Sequence, residues 1–123
     1  MYLWRTKSDN SENGREDLRD WRKLNGIHGW FVDEVQNEVD NCEVHEVSIA
    51  KMEQFLADLK LALSQRKFCN TPEVMVPREG FFFGGTECDE YYWEEIIDTI
   101  GAIENIMKEK DWKDYHYWYC SSW

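Results

Sequence analysis

At 123 residues the chain is long enough for one hydrophobic core and too short for two, and fourteen Lys and Arg against twenty-five Asp and Glu leave a net charge of −11. That charge excludes general binding to nucleic acid or anionic membrane and favours basic proteins or cations as partners. No apolar run approaches a membrane span and no signal-peptide stretch opens the chain, so one soluble cytoplasmic domain over 1–123 is expected.

Tyr2-Leu3-Trp4-Arg5-Thr6-Lys7 alternates and is rich in strand formers, which predicts a first strand followed by a polar loop, Ser8 to Gly14, containing Asn-Gly. Helical periodicity begins around Arg15. At 3.6 residues per turn, Leu18, Trp21, Leu24, Asn25, His28, Phe31, Val32 and Val35 share one face, so Asn25 and His28 fall inside an apolar stripe. Gly26 and Gly29 each weaken a continuous helix by about 1 kcal/mol, which predicts a bend or two abutting helices near Gly26.

Ser48 precedes Ile49, Met52, Leu56, Leu59 and Leu63, the spacing of an amphipathic helix capped by the Ser hydroxyl. Thr86 with Asp89 resembles a capping box and opens a third helix through Trp93, Ile96, Ile97, Ile100, Ile103 and Met107. Glu90, Glu94, Glu95 and Asp98 form its solvated side. Tyr115 to Cys120 reads as a strand with Tyr115, Tyr117 and Tyr119 on one side and His116, Trp118 and Cys120 on the other. The expected fold is α+β: a mostly helical single domain with a small antiparallel sheet pairing the N- and C-terminal strands.

Charge is uneven along the chain. Residues 1–23 carry Arg5, Lys7, Arg15, Arg19, Arg22 and Lys23 against five acids, and everything after them sums to −12. An anionic small molecule could therefore be received near the first helix despite the acidic whole, where Asn25 and His28 offer both donors and acceptors and Trp21 and Trp30 offer flat faces. The bland alternative is that Asn25 and His28 satisfy backbone groups in a tryptophan-rich core.

Gly80-Phe81-Phe82-Phe83-Gly84-Gly85-Thr86 leads into a helix N-terminus able to hold an anion, although it lacks the lysine and spacing of a P-loop. Its structural alternative is a buried strand or turn of phenylalanines. Cys42 with His45 and His116 with Cys120 have the types and spacings of two zinc half-sites, but in an unusual order, and the simpler reading is buried thiols and strand-side histidines. No cofactor or metal is expected. Nor do His28, His45 and His116 sit in any nucleophile motif, so no catalytic residue is assigned.

Three segments together carry a resemblance. Trp21-Arg22-Lys23-Leu24-Asn25-Gly26-Ile27-His28-Gly29-Trp30-Phe31, then Gly80-Phe81-Phe82-Phe83-Gly84-Gly85-Thr86 with Asp89-Glu90-Tyr91-Tyr92, and the terminal Ser121-Ser122-Trp123 resemble a family of small, largely uncharacterised tailed-phage proteins. Asp20, Cys88 and Pro77-Arg78-Glu79-Gly80 depart from its pattern. The resemblance implies a phage accessory protein acting in the cytoplasm of an infected bacterium, and it brings no catalytic residues.

Two functions from different classes follow. The first is a non-catalytic counter-defence protein that sequesters a small nucleotide signal, in a pocket lined by Trp21, Arg22, Asn25, His28, Trp30, Phe82, Phe83 and Trp123. The second is an acidic inhibitor that imitates a nucleic-acid backbone and docks on a host or defence protein, using the clusters from Asp33 to Glu46 and from Glu87 to Asp98. A homodimer formed through an aromatic surface is a third possibility.

Overall fold

Tyr2–Thr6 forms β1, and the chain then turns at Asn13-Gly14, where Gly14 takes a φ of 71° that a side chain would resist. It returns antiparallel as β2, Glu16–Asp20. The computed structural model describes residues 1–21, 25–37, 43–65 and 90–121, with the side chains at 25–26, 65 and 90–92 outside that description. Asn25–Glu34 is α1, His45–Val47 is β3, Ile49–Gln65 is α2, Glu90–Met107 is α3, and His116–Cys120 is β4 after a short 3-10 turn at Trp112–Asp114.

The expected helix around Arg15 is corrected here. Leu18 and Trp21 have helical spacing, but an Asn-Gly turn brings Glu16–Asp20 alongside β1, and backbone pairing there overrides the periodicity. Leu18 is the extra residue of a bulge, because Leu3 faces Arg19 while Trp4 faces Asp17. As a sheet edge, β2 tolerates its load of charge. The bend or pair of abutting helices expected near Gly26 is corrected too: α1 is one helix from Asn25 to Glu34 that runs through Gly26 and Gly29, and Asn37 follows it at a φ of 53°.

The described strands form one antiparallel sheet in the order β2-β1-β4-β3, so the first and last strands pair at its centre, as the composition of the two ends predicts. Leu3 faces Tyr119 and Arg5 faces Tyr117 across that central pair, with Val47 beyond Tyr117. These residues are buried and turn toward the helices. Met52, Phe55, Leu59 and Ala62 of α2 meet Trp93, Ile96, Ile100 and Ile103 of α3 in the same core, joined by Ile27, Trp30 and Phe31 of α1. Burying each large side chain contributes roughly 1.5–3 kcal/mol.

Ser48 caps α2 as predicted, its Oγ accepting from the Lys51 backbone N–H at 3.2 Å. The proposed cap of α3 at Thr86 and Asp89 lies outside the described residues. Among the described residues no helix is long and apolar enough to cross a membrane.

Candidate functional site

Of the residues expected to line a pocket, Trp21, His28 and Trp30 are described, and all three lie in the core. Trp21 is 1% exposed, His28 0% and Trp30 5%. Their polar atoms are paired inside the protein. Trp21 Nε1 donates to Thr99 Oγ1 at 2.8 Å, and Trp30 Nε1 donates to Asp58 Oδ2 at 2.7 Å. His28 Nδ1 shares a 2.6 Å hydrogen bond with the Tyr119 hydroxyl, and the Tyr119 ring stacks on Phe31 with centroids 3.8 Å apart. Buried polar groups need such partners, so these contacts are what a structural role requires. Arg22, Phe82, Phe83 and Trp123 lie outside the described residues, as does the side chain of Asn25.

The histidines and cysteines read as zinc half-sites are placed in part. Strand alternation puts His45 opposite Tyr119 and His116 on the other face, where His116 Nδ1 lies 2.7 Å from Glu46 Oε2. Cys120 is half-buried, and Cys42 lies outside the described residues. Among the described residues no group of three or more His, Cys, Asp or Glu is arranged to hold a metal ion.

A different constellation emerges on the sheet face opposite the helices. Register places Asp17 beside Trp4, Trp4 beside Trp118, and Trp118 beside Glu46, one residue from each strand in a single row. Side chains at such directly paired positions share a face. Two indoles therefore lie at the centre with a carboxylate at each edge.

Trp4 is held closed. Its Nε1 donates to the Ser11 carbonyl at 2.7 Å, and the Arg15 guanidinium lies 4.0 Å above its ring while Arg15 Nε donates to Asp17 at 2.7 Å. Trp118 stays partly exposed, its indole fixed by a 2.9 Å bond from Nε1 to Thr6 Oγ1 and flanked by the His116 ring. Beside Trp4, Tyr2, Arg15, Asp17, Leu18, Arg19 and Asp20 line an open depression of about 320 Å³. The alternation of β1 and β4 was the sequence signal for these tryptophans, but only register shows that they adjoin.

Among the described residues, the cations of the sheet, its first loop and α2 meet carboxylates of the same chain. Arg5 meets Glu16 and Glu109, Lys7 meets Asp111, Arg15 meets Glu12 and Asp17, Arg19 meets Glu95, Lys51 meets Glu34 and Lys60 meets Glu104, all within 4 Å. Glu95, expected on a solvated helix face, is thus half-buried against β2. Glu53, Glu94, Asp98 and Asp114 remain exposed. No protein-family model, curated protein or solved structure matches the chain.

Proposed function

We propose that the chain is a non-catalytic accessory protein of a tailed phage that counters bacterial defence by docking an acidic surface on a basic host or defence protein, its carboxylates standing in for nucleic-acid phosphates. The division of charge carries this reading. Cations of β1, β2 and α2 are spent on carboxylates of the same chain, while exposed acids on α2 and α3 and a net charge of −11 are left to face a partner. A field of that sign speeds encounter with a basic groove and rejects nucleic acid itself. The phage setting rests on the resemblance of the three sequence segments.

Sequestration of a small nucleotide signal is the second reading, supported by the same resemblance. Its weight is lower because Trp21, His28 and Trp30 spend their polar atoms on Thr99, Tyr119 and Asp58. It would be carried by Arg22, Asn25, Phe82, Phe83 and Trp123.

One experiment separates the two. The tagged protein is used to capture partners from infected-cell lysate at low salt, and in parallel is titrated by calorimetry with cyclic and NAD-derived nucleotides. Recovery of a nucleic-acid-binding protein that competing duplex DNA or added salt releases supports docking. Heat with a nucleotide and no captured protein transfers the function to sequestration.

A further inference from the structure

We propose that the Trp118–Glu46 half of the row Asp17, Trp4, Trp118, Glu46 is an arginine-docking surface, and that a guanidinium of the basic partner stacks on Trp118 and pairs with Glu46. This deepens the docking function proposed above and rests on it.

The chain already performs this recognition once on itself. Over Trp4, the guanidinium of Arg15 lies 4.0 Å from the ring and bonds the carboxylate of Asp17, the residue directly paired with that tryptophan. Arg5 repeats the chemistry elsewhere, 3.8 Å over the Tyr115 ring with Glu16 and Glu109 as its acids. Trp118 and Glu46 hold the same relationship on the other half of the row, an indole on a central strand with a carboxylate directly opposite on the edge strand. Here no arginine of the described chain lies over the ring, and Trp118 is partly exposed.

The local groups fit the occupant. The Thr6 hydroxyl anchors the Trp118 indole, so its face is presented rigidly. Glu46 is about half exposed and gives one oxygen to His116, which leaves the rest of a carboxylate's acceptor capacity for a second donor. An arginine has the planar, forked shape that stacks and pairs at once, whereas a lysine supplies only a point charge. Carboxylates at both ends of the row and the net charge of −11 select a cation over an anion.

The test uses an arginine-serine repeat peptide and its lysine-serine counterpart of equal length and charge, titrated against the full chain at low salt by fluorescence anisotropy. The wild-type protein is expected to bind the arginine peptide tighter by about two- to fivefold, the scale of one surface cation–π contact. Trp118→Leu should erase that preference and Glu46→Gln should reduce it, with circular dichroism unchanged. Equal binding of both peptides, insensitive to both substitutions, overturns the arginine surface but leaves acidic docking standing. No binding of either peptide overturns both. Should Trp118→Leu fail to fold, the Trp118 indole N–H resonance in the wild type decides: a shift with the arginine peptide supports the surface, and no shift overturns it.

Discussion

Trp21 and Thr99, 78 residues apart in the chain, are tied by a 2.8 Å hydrogen bond from the indole Nε1 to the threonine Oγ1, and the same hydroxyl donates to the Glu95 carbonyl at 2.7 Å. One side chain in the middle of α3 therefore anchors the end of β2 to the helical layer. Thr99→Val keeps the shape and strands a buried indole N–H, so unfolding in urea should show a loss of about 1–3 kcal/mol. Thr99→Ser keeps the acceptor and should lose about 1 kcal/mol, the scale of a deleted methyl. Equal losses in the two variants would show that the hydroxyl contributes nothing.

Arg5 is 2% exposed, and its guanidinium is approached by Glu16 from β2 and by Glu109 from the turn that follows α3. Burial pulls its pKa down, but the hydrogen bond to Glu16 and the neighbouring Glu109 carboxylate outweigh that and hold it above the ordinary arginine value. Removing both acids leaves a buried charge without compensation. The double variant Glu16→Gln with Glu109→Gln should therefore cost about 3–5 kcal/mol, while Arg5→Met, which leaves two exposed carboxylates that water can solvate, should cost less. Thermal or denaturant unfolding of the two proteins checks the order.

Lys51 and Glu34 join α2 to the end of α1 at 2.8 Å. The hydrogen bond from Lys51 holds the Glu34 carboxyl below its usual range. A carboxylate whose pKa is depressed by folding adds stability above its unfolded pKa and loses that contribution as pH falls through the folded one. Lys51→Met should then cost about 0.2–1 kcal/mol at neutral pH, the range of partly exposed pairs, and progressively less as pH drops through the carboxylate range. Urea titrations at neutral and acid pH measure the convergence.

Arg15 closes Trp4 from above. Arg15→Ala should leave the fold intact at a cost of about 0.5–1 kcal/mol, the value of a surface cation–π contact. With Asp17 released as well, the variant gains a second uncovered indole beside a carboxylate. Acrylamide quenching of tryptophan fluorescence should rise relative to wild type, and unchanged quenching would show that the Ser11 carbonyl and its loop alone cover the ring.

Much of the fold was legible locally. Helical spacing from Ile49 and from Trp93 located α2 and α3, Ser48 located a cap, and the aromatic alternation of the two ends located β1 and β4. The misreading came where two local signals competed, since Leu18 and Trp21 suit a helix and Asn13-Gly14 suits a hairpin. β3, three residues long, carried too short a pattern to stand out.

What the chain determined by itself is its charge, its periodicities and therefore its class, because these depend on neighbours a few residues away. Only the tertiary structure decided that His28 meets Tyr119, that Trp21 meets Thr99, and that Asp17, Trp4, Trp118 and Glu46 form one row. Those relationships depend on strand register and on which face the helices cover, and both are set by pairing between distant segments, as in the bond from Trp118 to Thr6 across 112 residues.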